Sequence, residues 1–187
     1  MKPYVIEKLE KERWKGTNLP VSYTSGSYYD ISVEKTADGF DIGIRKKAFE
    51  TPFTHVPEDG EYPDRLYEDW WENAEAYGII EKDRLLGAIE VCPEEWSHRL
   101  LITELFVDEK LRGHGYGKKL INLAKKITVK NGYRVLMLET QSSNVKAVDF
   151  YLHEGFTLIG FDTCCYTNRD LERKEVRFNM GWFPEQG

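Results

Sequence analysis

Arg112-Gly113-His114-Gly115-Tyr116-Gly117, running into Lys118-Lys119-Leu120-Ile121-Asn122-Leu123-Ala124, is the stretch whose reading decides the fold. Glycine at alternate positions lets the backbone turn tightly and approach a ligand with no Cβ in the way. The period then becomes helical. Leu120, Leu123, Ala124 and Ile127 fall at i, i+3, i+4 and i+7, and Lys118, Lys119, Lys125, Lys126 and Lys130 take the wet face. Upstream, residues 100–107 are apolar except at Thr103 and Glu104, the pattern of an interior strand covered on both sides. A turn between such a strand and a helix start presents amides that have no intrahelical acceptor, at the positive end of the helix. With Arg112 beside them, the expected ligand is a phosphate or pyrophosphate; a glycine turn without a ligand fits the same residues. The spacing G-x-G-x-G is not the G-x-G-x-x-G of a dinucleotide site. Lys118 is followed by Lys119, not by the Ser or Thr of a P-loop.

Outward from this stretch the chain alternates. Residues 27–35 and 40–46 read as a hairpin around Ala37-Asp38-Gly39, and 76–81 and 85–92 as a second around Lys82-Asp83-Arg84. Residues 65–74 read as a helix, 133–140 as a buried strand, 144–153 as a short helix, and 156–164 and 175–183 as strands. The expected fold class is α/β (α+β) with a mixed sheet, in one domain over 1–187. The chain has 187 residues, with 41% hydrophobic and 31% charged, which excludes a wholly disordered chain. Its net charge of −6 has the wrong sign for a nucleic-acid partner. The longest apolar run, Leu85-Leu86-Gly87-Ala88-Ile89, is far too short for a membrane span, and residues 1–7 hold no secretion-type apolar region. Cys92, Cys164 and Cys165 form no CxxC pair, and the histidines lack metal-ligand spacing. The expectation is a cytoplasmic protein with no metal, no nucleic acid and no membrane; a homodimer is compatible with the sequence.

The loop 112–117 matches the R/Q-x-x-G-x-G/A signature of the GNAT superfamily of N-acetyltransferases. Downstream, Asn144, Ala147, Phe150-Tyr151 and Gly155-Phe156 match its N-x-x-A-x-x-F-Y-x-x-x-G-F motif. The longer string Leu138-Glu139-Thr140-Gln141 … Asn144 … Phe150-Tyr151 … Gly160 … Asp162 resembles the streptothricin acetyltransferases within it. The resemblance covers about residues 76–183; Tyr116 stands where many members carry an aliphatic residue. It implies a GNAT fold whose central strands 100–107 and 133–140 splay apart. It further implies acetyl-CoA as cosubstrate, with the pyrophosphate on Arg112, Gly113, His114, Gly115, Tyr116 and Gly117. The pantetheine arm would lie along Leu105, Phe106 and Val107, with Asn144 as a further partner or simply a helix cap.

Tyr151 holds the motif position that protonates the departing thiolate, and a phenol with a pKa of about 10 is a competent donor at neutral pH. A core aromatic would look the same. Glu104 is a carboxylate in an apolar strand, which is costly without a partner or a task. The resemblance makes it the base that deprotonates the substrate ammonium, with Glu139 as the competing base or a substrate anchor. Glu58, Asp59, Glu61, Asp64, Glu68, Asp69, Glu72 and Glu75 oppose a single Arg65, interleaved with Tyr62, Tyr67, Trp70 and Trp71. Such a stretch suits a cationic amine through charge and cation–π contact, with Asp69, Trp70 and Glu72 as its representatives. The implied activity is acetyl transfer to the β-lysine amine of streptothricin, hence antibiotic resistance. Acetyl transfer to a polyamine, an aminoglycoside, a protein N-terminus or lysine is the alternative, or acetyl-CoA binding without catalysis.

Overall fold

The computed structural model describes residues 4–56 and 64–185. In chain order they form β1 (Glu7–Leu9), α1 (Lys11–Trp14), β2 (Tyr23–Lys35), β3 (Phe40–His55), β4 (Glu75–Glu81), β5 (Arg84–Glu94) and β6 (Arg99–Val107). There follow α2 (Tyr116–Lys130), β7 (Leu136–Gln141), α3 (Val145–His153), β8 (Thr157–Asp162), α4 (Asp170–Arg173) and β9 (Arg177–Trp182). They group into two compact units. Pairing is mostly antiparallel, and the class is the expected mixed α/β.

The first unit comprises the described residues before Ser22, those of 64–138, and the end of the chain from Trp182. Its strands lie in the order β1-β4-β5-β6-β7. The β4–β5 hairpin turns on Lys82 (φ +50°) and Asp83 (φ +64°), a left-handed pair in which neither residue is glycine. Asp83 also meets Arg13 at 2.6 Å. Gly78, opposite Glu7 of β1, has no room for a side chain. A Cβ there would lie 2.8–2.9 Å from Leu85 Cδ1, the Gly87 carbonyl and Leu9 Cδ1. β6 pairs with β7 in parallel only from Leu100↔Leu136 to Ile102↔Leu138. Beyond that point β6 runs on through 103–107 past the end of the β7 ladder. On its other edge β6 carries a bulge: Val91 faces Ile102 and Glu90 faces Glu104, leaving Thr103 as the extra residue.

Helix α2 buries Tyr116, Leu120, Ile121, Ala124 and Thr128. Leu123 and Ile127, expected inside, are only half-buried, because Tyr116 and Ile121 take the central positions. Residues 65–74, expected as a helix, are a run of turns. Leu66 spends its N–H on the Thr17 carbonyl and its own carbonyl on the Gly16 N–H, and Tyr67 sits at φ +59°. Those bonds and that dihedral are incompatible with a helix.

The second unit comprises 22–56 and 139–181, where β7, β9 and β8 lie side by side. Its long ribbon, β2 with β3, reaches beyond the predicted 40–46 as far as His55. The register breaks where β3 carries Pro52, whose missing N–H a continuous ladder would not accommodate. Polar links tie the ribbon to α3: Tyr29 Oη donates to Asp149 Oδ1 at 3.1 Å and Lys46 Nζ to Asp149 Oδ2 at 3.0 Å.

Candidate active site

The loop from β6 to α2 is held by its own backbone and by three side chains that fold back on it. Asp108 accepts from the N–H groups of Leu111, Arg112 and Lys110, the last through its side chain at 2.9 Å. Arg112 Nε donates to the Val107 carbonyl at 2.9 Å, fixing the guanidinium across the loop. His114 Nδ1 lies 2.9 Å from the Arg112 carbonyl. Gly113 (φ +74°) and Gly115 (φ +77°) occupy the left-handed region, so side chains are disfavoured there by backbone conformation. A Cβ at either would meet nothing within 4 Å, so the space outside the turn is open. The α2 N–H groups that follow lack intrahelical acceptors by helix geometry. Open space, a helix start and an anchored arginine fit a pyrophosphate.

Tyr116 contributes backbone to this loop rather than side chain. Its ring is buried among Ile79, Leu86 and Leu111, and its hydroxyl accepts from the Tyr4 N–H at 3.1 Å. That contact explains why a tyrosine stands where the resemblance favours an aliphatic residue. On β6, Phe106 points into the core with Leu9, Trp14 and Tyr67, while Leu105 and Val107 are half-buried. Glu104 is also half-buried, not enclosed as the apolar run suggested.

In the second unit, Asn144 caps α3, its Oδ1 accepting from the Ala147 N–H at 3.3 Å. Tyr151 is buried, its ring 5.4 Å from that of Phe150 and 5.9 Å from that of Phe156. Glu139 pairs with Arg177 at 3.1 Å, and Arg177 reaches Asp162 at 3.5 Å. Asp162 also accepts from the Cys164 N–H, closing a turn, and both contacts hold its carboxyl below the usual range.

Of the acidic and aromatic stretch, Glu58, Asp59, Glu61 and Tyr62 lie outside the described residues. Asp69, Trp70 and Glu72 are exposed, and Trp70 keeps 58% of its surface. Asp69 already pairs with Lys15 at 2.5 Å, so part of the expected negative field is neutralised. Tyr67 does not join the aromatic surface; it is 2% exposed. Beneath it lies a group that the reading of the sequence missed. Glu90 is fully buried, accepting from the Tyr67 N–H at 2.6 Å and the Thr103 hydroxyl at 2.8 Å. Burial pushes its carboxyl above the ordinary range, against the pull of those two donors and of Lys11, with Glu68 adding to the rise. The signal was available: Glu90 is as anomalous in Leu85-Leu86-Gly87-Ala88-Ile89-Glu90-Val91-Cys92 as Glu104 is in its strand.

Among the described residues no cluster of three or more His, Cys, Asp or Glu is arranged to hold a metal ion. No helix among them is long and apolar enough to cross a membrane. Residues 45–156 match the model of the acetyltransferase (GNAT) family. The chain is 31% identical to a streptothricin acetyltransferase of Escherichia coli over 145 residues, 77% of this chain and 82% of the relative. It superposes on the crystal structure of nourseothricin acetyltransferase with a TM-score of 0.73 and 27% identity, covering 96% of this chain and 98% of that one. A Bacillus anthracis protein described as a streptothricin acetyltransferase, solved with acetyl coenzyme A, gives 0.74 at 23% identity over 98% and 99% of the two chains.

Proposed function

The chain belongs to the GNAT acetyltransferase family, and from that premise we propose that it acetylates the β-lysine amine of a streptothricin and thereby confers resistance to it. The observation that carries the reading is the β6–α2 turn, with its left-handed glycines open to the outside and Arg112 tethered to Val107. The relatives named for streptothricin and nourseothricin support the choice of amine.

The roles follow from the chemistry. Acetyl-CoA supplies an activated thioester. The 112–117 main chain and Arg112 bind its pyrophosphate, and the 105–107 backbone, beyond the β7 ladder, binds its pantetheine arm. Glu104, directly or through water, takes the proton that the substrate ammonium must lose before its nitrogen can bond to the acetyl carbon. Tyr151 gives its phenolic proton to the sulfur as the carbon–sulfur bond breaks. Most of the acceleration comes from positioning and from backbone donors facing the carbonyl oxygen. Asp69, Trp70 and Glu72 receive the polycationic arm. The reading treats residues 1–187 as one acetyltransferase domain working in the cytoplasm.

Thiol release from acetyl-CoA, measured against streptothricin, a polyamine, an aminoglycoside and a lysine peptide, tests the assignment. Streptothricin is expected to react with the highest kcat/KM, and no acetylation of it overturns the choice of acceptor. Tyr151→Phe is expected to lower kcat by about 100-fold or more with little change in acetyl-CoA affinity.

A further inference from the structure

Glu90 carries two hydrogen bonds that lead in different directions. Its Oε1 accepts from Thr103, the extra residue of the β6 bulge, immediately before Glu104. Its Oε2 accepts from the N–H of Tyr67, immediately before the segment that holds Glu68, Asp69, Trp70 and Glu72. Tyr67 is itself pinned. Its backbone is left-handed, its hydroxyl donates to the Leu9 carbonyl, and the same oxygen accepts from the Ala76 N–H at 3.0 Å. Leu9, Tyr67, Ala76, Ala88 and Phe106 belong to one buried cluster. A fully buried carboxylate is expensive to keep, and leucine would fill a similar volume with no polar atom to satisfy. The cost is intelligible if the two bonds it makes join parts that must hold a fixed relation.

We propose that Glu90 is a positioning residue: its carboxylate locks the 66–72 turn to the Thr103 bulge, so that the amine-receiving segment and the strand bearing Glu104 are held as one piece. The lock is a statement about hydrogen bonds within the first unit. Its consequence for the amine rests on the function proposed above. Bulges re-aim the side chains beside them, and here the bulge is clamped at the residue preceding Glu104. Glutamine at position 90 retains the clamp, because its carbonyl accepts from Tyr67 and its amide donates to the Thr103 oxygen. Valine at position 103 breaks one arm while keeping nearly the same shape, and serine restores it.

Hydrogen–deuterium exchange on the whole protein reads the lock without reference to any substrate. In Thr103→Val, exchange is expected to quicken by about tenfold or more in residues 65–75 as well as in 101–106, a loss of about 1.4 kcal/mol in local protection. Thr103→Ser and Glu90→Gln should stay near wild type. Faster exchange in 101–106 alone, or in neither segment, overturns the proposal. Kinetics supply the second readout: Thr103→Val should raise the KM for the amine about three- to tenfold and leave that for acetyl-CoA within about twofold, with serine restoring both. Equal losses for both substrates overturn it. Failure of the wild type to acetylate streptothricin would remove the choice of amine and leave the exchange result to decide the role of Glu90.

Discussion

Two turns in the first unit reach the surface by opposite means. The loop 112–117 is built from main chain: two left-handed glycines, a capping aspartate and an arginine tied to a carbonyl. Its largest side chain, Tyr116, faces inward. The turn 66–72 is built from side chains: Tyr67 bonded to Leu9 and Ala76, and Glu90 below it. The first therefore offers a ligand generic donors, which suit an invariant diphosphate. The second offers particular groups, Asp69, Trp70 and Glu72, on a platform fixed from beneath. Under the proposed function, the first construction serves the constant partner and the second the distinctive one.

Breaking the platform should cost more stability than breaking the loop. Glu90→Ala leaves the Tyr67 N–H buried without its acceptor and opens a void, so about 2–4 kcal/mol is expected to be lost in urea denaturation. Glu90→Gln should lose about 1 kcal/mol or less. Next in size, Gly115→Val forces a branched side chain to φ +77°, which costs about 1–3 kcal/mol. It should also weaken acetyl-CoA binding about tenfold or more in calorimetry, whereas Glu90→Gln should leave that binding unchanged.

The comparison can be sharpened with pH. The Glu90 carboxyl is raised above its ordinary 4.5 by burial, so its contribution is complete below that value and is lost as pH rises through the folded value. Wild type should therefore lose ground to Glu90→Gln as pH rises above 4.5 in denaturation series; a gain would refute the sign. Glu175 offers the reverse case. It is buried, which opposes ionisation, but His55 at 3.0 Å and Arg173 at 2.9 Å outweigh that and lower its pKa. Its contribution is present above 4.5 and fades as pH falls. The smallest effect is expected of Trp70→Ala, which should raise the KM for a cationic amine by about two- to fivefold and leave the denaturation midpoint in place.

How much was legible in the sequence follows the same division. The loop was readable because glycine at positive φ is a local requirement, stated by the residues themselves. So was α2, whose period is strong, although tertiary packing turned its inward face toward Tyr116 and Ile121. The platform was not readable. Tyr67 has ordinary helical neighbours, and only its distant bonds to Leu9, Ala76 and Glu90 make a helix impossible there. Nor did any local signal connect Asp149 to Tyr29 and Lys46, more than a hundred residues away. Of the two acid residues inside the apolar runs 85–92 and 100–107, Glu90 is the one the fold encloses, while Glu104 is only half-buried.

Gly78 has a use beyond this molecule. With Leu9, Leu85 and the Gly87 carbonyl all closer than a methyl group tolerates, the site works as a gauge of how β4 is seated against β5. In a chain of this kind that carries alanine there, the ends of the Leu9 and Leu85 side chains can turn aside, but the β5 backbone at Gly87 has to give way. A single letter of sequence would then report how tightly that hairpin is closed.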